Sequence, residues 1–314
     1  MLPYTLKRLG AGLLTVFFIA TATFAAMHLV PGDPITGAKA VSPEIRANLA
    51  ARYGLDKPVL TQYGLYLAGM LRGDFGISFT QQNRSVNDII REHFPVSAKL
   101  GVLSLLFATA GGILFGSLTA LSRGKRADRS VMFLVILGIS VPSFVFAVLG
   151  QYVVTEANHR LAVTLLPVGG WGTFRHMLLP ALVLGVGTMA FLTRLMRSSL
   201  LEIVHQDYVR TARAKGLPPG RIFVFHQLRN GILPVVTILG PAIATITTGG
   251  FVVESVFAIP GLGRYFVQAV QQLDYTVIMG LTVFYGAFLV FMVILVDLVY
   301  GLVDPRIRVA GERA

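Results

Sequence analysis

The stretch Asp207 to Gly220, DYVRTARAKGLPPG, brings Arg210, Arg213 and Lys215 together just ahead of Gly216, Pro218, Pro219 and Gly220. Cations at that spacing on a short helix offer contacts to an acidic rim, and a helix laid in a partner's groove is one way to transmit motion. Taken alone, the same run also reads as a basic loop facing anionic lipid headgroups. Other chemistry is hard to find. Residues 32–39, GDPITGAK, have the glycines of a phosphate-gripping loop, but the Lys falls one position late and the run follows an apolar stretch rather than a strand. No other G-x4-G-K-[ST] run occurs, so this chain is not by itself an ATPase of that class. The six histidines show no paired spacing suited to a metal. The lack of cysteine excludes disulfides and thiolate metal sites.

The elements that must carry the basic stretch are lipid-like. Hydrophobic residues make up 54% of the chain, charged residues 13%, and the mean hydropathy is +0.70, whereas soluble domains carry roughly a quarter charged residues. About 20 apolar residues cross a hydrocarbon core. Six stretches qualify, near Leu9–Val30, Val96–Leu121, Val131–Val154, Met177–Leu200, Leu233–Val256 and Val277–Gly301. Pro142, Pro180 and Pro241 lie inside them and predict kinks buried in a bundle. Gly112 and Gly116 have the small-xxx-small spacing that permits close helix approach, and they read equally well as ordinary glycines in apolar sequence. The first stretch, preceded by Lys7 and Arg8, runs past its signal-like Ala20-Thr21-Ala22 site to Val30 and is read as a retained helix.

The span centres are almost free of carboxylates. Glu254 falls near the outer end of the fifth span and Asp297 near the inner end of the sixth, so the mid-membrane acids of an ion-coupled carrier are missing and energy is expected from another subunit. Lys and Arg concentrate on one side: Lys7 and Arg8, then Arg123 to Arg129, then Arg194 to Arg229, then Arg306, Arg308 and Arg313, against Arg160, Arg175 and Arg264 in the short loops opposite. By the positive-inside rule both termini are cytoplasmic. The net charge of +12 then reflects topology, and no nucleic-acid partner is expected.

Two non-spanning segments interrupt this pattern. Residues 31–95 form an outer insertion with three helix signals: Ser42-Pro43 to Gly54, Pro58 to Arg72 closed by Gly73, and a capping-box pattern at Ser85-Val86-Asn87-Asp88 for a helix ending before Pro95. Residues 201–232 form the largest inner loop. There Glu202 to Lys215 predicts one helix, Gly216 suits the position just past its end, the two prolines stop it, and Arg221 to Leu228 predicts a second helix. Ala212 and Ala214 are small enough for close contact.

The chain resembles the membrane-spanning permease subunit of binding-protein-dependent ATP-driven importers, and especially the first permease of peptide systems. The resemblance runs from Leu29-Val30-Pro31-Gly32-Asp33-Pro34 through Gly73-Asp74-Phe75-Gly76-Ile77-Ser78 and Tyr208-Val209-Arg210-Thr211-Ala212-Arg213-Ala214-Lys215-Gly216-Leu217. It continues through Glu254-Ser255-Val256-Phe257-Ala258-Ile259-Pro260-Gly261-Leu262-Gly263 to Asp304-Pro305-Arg306-Ile307-Arg308. Against the general permease motif, Glu-Ala-Ala-x3-Gly-x9-Ile-x-Leu-Pro, Ala212 and Gly216 hold. Arg210, Thr211, His226 and Arg229 depart, as in the peptide subfamily's own variant.

That resemblance implies an all-α type I importer permease fold, with six transmembrane helices and a small helical extracytoplasmic insertion between the first two, in a bacterial inner membrane. It implies a non-catalytic subunit, residues 1–314 forming one permease domain and half of a pathway for oligopeptides. The expected partners are a second permease subunit in a heterodimer, two cytoplasmic ATPase subunits, an extracytoplasmic peptide-binding protein and membrane lipid. The chain itself would hold no cofactor; ATP and Mg would sit on the ATPases. Tyr208 and Arg210 to Leu217 are expected to couple to the ATPases. Glu254 and Pro260 to Gly263 are expected at the outer gate or binding-protein contact, with a plain connection into the amphipathic run Tyr265–Leu273 equally open. Ser85 to Asp88, Phe94 to Gly101 and Leu166 to Trp171 resemble the oligopeptide branch, with dipeptide, murein-peptide and nickel importers as relatives. The reading from another class is an ion-coupled carrier or channel.

Overall fold

A computed structural model describes residues 2–29, 51, 54–81 and 83–303. The motif residues 30–34, the loop-like run 32–39, the Ser42-Pro43 helix start and the terminal run 304–308 lie outside the described residues. Among those described, the chain is helical, with one isolated antiparallel bridge between Ile77 and Ser85. In chain order the helices are α1 (Leu2–Leu29), α2 (Val59–Leu71), α3 (Val86–Leu121), α4 (Arg126–Ser140), α5 (Ser143–Leu161) and α6 (Phe174–Ile203). There follow α7 (Asp207–Ala214), α8 (Pro219–Gly231), α9 (Leu233–Gly249), α10 (Phe251–Val256), α11 (Leu262–Gln271) and α12 (Tyr275–Val303). Helices α1, α3, α6 and α12 are each long and apolar enough to cross a membrane. The pairs α4/α5 and α8/α9 bring the number to six if each bent pair is one span.

Proline accounts for one of the divisions in the expected spans. The third, Val131–Val154, is not one helix: it breaks between α4 and α5 with a bend of 113°. Pro142 has no N–H to give and pushes the residue before it out of the helical region; Val141 is extended, at φ −89 and ψ 127. The helix expected to end before Pro95 instead runs through it into the second span. Pro180 and Pro241 likewise lie inside unbroken α6 and α9. Pro180 is buried as expected, whereas Pro241 is exposed. The fifth span divides at Gly250 into α9 and α10.

The chain forms two compact units, residues 1–97 with 260–314, and residues 98–259. In the first, α1 lies along α12, where a Cβ on Gly286 would stand 2.7 Å from Ile19. Phe94 meets Phe284 and Phe288 edge-on at 4.9 and 5.0 Å. The motif Gly73 to Ser78 folds into a loop hooked onto the start of α3: Phe75 N–H donates to Asn87 Oδ1 at 3.0 Å, and Asn87 donates back to the Gly73 carbonyl. Ser85 caps α3 as its pattern predicts, accepting the Asp88 N–H at 3.0 Å. The same loop ends on a buried carboxylate. Asp274 accepts from the Ser78 hydroxyl, from Thr80 Oγ1 at 2.8 Å, from the N–H groups of Phe79 and Thr80 at 3.1 and 3.2 Å, and, as the N-cap of α12, from Val277 N–H at 3.3 Å.

In the second unit α6 is the central helix, with ten buried residues. Gly112 and Gly116 do act as a close-approach pair. A Cβ on the first would fall 2.5 Å from Leu192 Cβ, and on the second 2.8 Å from the Thr193 carbonyl, so any larger residue would push α3 off α6.

Candidate functional site

The basic stretch folds into a hairpin of α7 and α8 on the end of α6. The single helix expected over Glu202–Lys215 is interrupted: α6 stops at Ile203, the N–H groups of His205 and Gln206 close tight turns onto Glu202 and Ile203, and Gln206 is extended before α7 restarts. The break turns the apolar face of α7 inward. Val209 and Ala212, three residues apart and so on one side of the helix, are 0% and 4% exposed and pack with Ile222, Ile203 and Leu217.

The turn is built by Gly216. It follows the helix end with φ +72, a left-handed conformation that costs least without a Cβ. Its N–H donates to the Arg213 carbonyl at 2.9 Å, the Leu217 N–H reaches back to the Ala212 carbonyl at 3.3 Å, and the Leu217 side chain packs on the same cluster. Those two bonds and that contact make a Schellman motif, which satisfies carbonyls that a helix end otherwise leaves orphaned. Pro218 and Pro219 start α8, so the second helix begins two residues earlier than the Arg221 expected. Its middle, Phe223–Leu228, is wound as a π-helix, a form frequent at functional sites. The far end of α8 is braced on α6, where a Cβ on Gly231 would meet Leu200 at 2.7 Å.

The residues expected to couple therefore divide by task. Tyr208, Arg210, Thr211, Arg213, Ala214, Lys215 and Gly216 are exposed, whereas Ala212 is buried and Leu217 half-buried within the hairpin's own core. Ala212 thus holds the hairpin together rather than lying on its surface. Arg210 leans on Asp207 at 3.7 Å, an exposed pair that leaves the cation in water. The second predicted group is mostly interior. Glu254 is 2% exposed within α10, Gly261, Leu262 and Gly263 are buried, and only Pro260 is half-buried. The Pro260 carbonyl stands 2.8 Å from His93 Nδ1, and the His93 ring stacks on Tyr265.

Sequence reading missed two polar clusters. Asp274 was legible as an N-cap, an Asp directly before an apolar run, but nothing in sequence pairs it with Ser78 and Thr80. Arg197 counted as one basic residue among many. In the structure its guanidinium grips Asp128 in a fork, Nε to Oδ1 and Nη2 to Oδ2, both at 2.9 Å, while Gly124 N–H gives Oδ2 a third bond at 2.9 Å. The pair ties the turn before α4 to α6 just above the hairpin, and Asp128 is 5% exposed. Removing one partner of a buried pair costs roughly 3–5 kcal/mol. Because the Arg197 side chain keeps 24% exposure, Asp128→Ala is expected at the lower end, about 3 kcal/mol. In a double-mutant cycle on thermal unfolding, Asp128→Ala with Arg197→Ala should cost clearly less than the two singles added; simple additivity would show that the fork contributes nothing.

Comparison with known proteins bears on this arrangement. Residues 112–309 match the family described as binding-protein-dependent transport system inner membrane component, and residues 1–101 match the N-terminal part of such components. The dipeptide transport system permease protein DppB of Bacillus subtilis is 44% identical over 308 residues, covering 98% of both chains. The oligopeptide transport system permease protein OppB of Haemophilus influenzae is 42% identical over 98% of this chain and 100% of its own length, and that of Escherichia coli K12 is 39% identical over the same shares. Among solved structures, an amino acid ABC transporter crystallised with histidines shares the fold, with TM-score 0.51 and 16% identity, over 68% of this chain and 92% of that one.

Proposed function

The chain belongs to the binding-protein-dependent transport system inner membrane component family, and from that premise we propose that it is the permease subunit of an ATP-driven peptide importer, forming half of the pathway. The observation that carries the mechanism is the hairpin: a rigid, Schellman-closed element whose cations point outward and whose core is fixed to the end of α6. In this reading both termini and the hairpin are cytoplasmic, as the distribution of Lys and Arg supports. Two ATPase subunits, holding ATP and Mg, grip the hairpin around Arg210 to Gly216. A second, similar permease completes the pathway, and a peptide-binding protein delivers substrate on the other side. Closure of the ATPases pulls the hairpin. Because α7 is packed on Ile203 and α8 on Leu200, the pull reaches α6 without slack, and the close contact of α6 with Gly112 and Gly116 passes it to α3. The pathway then opens toward the binding protein, and after hydrolysis it opens inward.

The substrate is a peptide. The relatives' names divide between dipeptide and oligopeptide systems, and the motifs at Ser85–Asp88 and Leu166–Trp171 favour the longer class. Reconstituting this chain with its second permease, ATPases and binding protein in liposomes should give ATP-dependent accumulation of labelled peptides, with a length series from two to five residues ranking the substrates. Accumulation by this chain alone under an ion gradient, or uptake of nickel but no peptide, would overturn the proposal.

A further inference from the structure

The break between α4 and α5 opens onto a cavity of about 400 Å³ within the second unit, lined among others by Gly138, Pro142, Ser143, Gly187, Thr188 and Thr245, a size in the range of small-ligand sites. No charged side chain lines it. Its polar groups are the hydroxyls of Ser143, Thr188 and Thr245 and backbone at the end of α4, at Gly138 and Ile139. Pro142 has no N–H to return to the Gly138 carbonyl, and α5 swings away by 113° before it can serve Ile139 or Ser140. Among the described residues none of these three carbonyls receives a hydrogen bond. They lie near the middle of the bent α4/α5 pair, and Ser140 and Pro142 are exposed. Unpaired backbone at that depth is tolerated only when it is buried in protein or lines a water-filled cavity, never against lipid. Gly187 deepens the opening: a Cβ there would meet nothing nearer than the Gly138 carbonyl, at 3.7 Å.

Resting on the peptide-importer reading above, the geometry points to this cavity as a peptide-binding subsite of the translocation path. It presents acceptors, and the carbonyl end of α4 carries the negative end of a helix dipole. Its ligand is therefore a group rich in N–H and positive in charge: the amino-terminal ammonium of a peptide and the amides that follow it. Every peptide carries that group whatever its side chains. A site made of backbone carbonyls and hydroxyls is consequently tolerant of sequence and leaves selection to the binding protein.

The full complex in liposomes tests this with two variants. Gly187→Leu fills the space beside the Gly138 carbonyl and should lower trialanine uptake at least tenfold. Since the chain has no cysteine, Thr188→Cys places a unique thiol on it. In complexes held with a non-hydrolysable ATP analogue, a water-soluble thiol reagent should label that position, and binding protein loaded with trialanine should slow the labelling at least threefold. If Gly187→Leu does not assemble, the labelling result decides alone. Unchanged uptake by Gly187→Leu, a thiol that no reagent reaches, or labelling indifferent to peptide overturns the subsite. A wild-type complex that takes up no peptide at all overturns the importer reading instead.

Discussion

Replacing Gly216 by proline should abolish peptide uptake by the assembled importer while leaving the complex able to hydrolyse ATP. Proline demands φ near −65°, whereas the turn holds this residue at φ +72. It also deletes the N–H that the Arg213 carbonyl accepts. Strain and the lost bond together come to about 3 kcal/mol, enough to unwind a hairpin held by one small cluster. Gly216→Ala meets only the left-handed penalty of roughly 1–2 kcal/mol and should reduce uptake partially. Ala212→Glu reaches the same end by another route. It forces a carboxylate into the space among Val209, Ile222 and Leu217, where no described partner stands ready and an ionised group is strongly disfavoured. In both severe variants the binding protein should no longer stimulate ATP hydrolysis, and uptake should fall more than tenfold. Wild-type stimulation in purified complexes carrying either change would remove the hairpin from the coupling route.

Asp274→Ala should be the most destabilising single substitution in the first unit. The carboxylate is 1% exposed and accepts from two hydroxyls and three backbone N–H groups. Alanine takes the carboxylate away from all five donors, at about 1–3 kcal/mol for each one that water does not reach, so a loss of about 4 kcal/mol is expected. Asn keeps one acceptor oxygen and should lose about half as much. The readouts are the thermal midpoint of the purified complex and proteolysis of the loop at residues 76–81, which should become cleavable in the Ala variant. An unchanged midpoint together with a resistant loop would mean that the Asp274 bonds are replaceable by water.

Much of the arrangement was legible in the residues themselves. The apolar stretches marked where helices lie, because lipid leaves a backbone no other way to satisfy its polar groups. The caps were readable where one side chain acts on its own turn, as at Ser85, Gly73 and Gly216. Less legible were the effects of proline. Pro95, Pro180 and Pro241 sit inside continuous helices and Pro142 stands at a sharp break, although each removes the same N–H.

The basic stretch shows the same division. Its composition and its Gly-Pro punctuation announce a short helix, a left-handed turn and a second helix, since those depend on backbone sterics within a few residues. That Val209 and Ala212 form the inside of the hairpin, and that α6 must stop at Ile203 to bring them there, depends on Ile222 arriving from the other arm. Arg197 could not be told from its basic neighbours until Asp128, 69 residues earlier, was seen in its fork. Nor does anything near Asp274 in the sequence point to the loop nearly 200 residues upstream that it fastens. Local sterics and the demand of lipid for satisfied backbone act along the chain, so sequence alone determined where the apolar helical stretches and the Gly216 turn lie. Which buried polar groups meet depends on contacts between distant segments, and only the folded chain decides those.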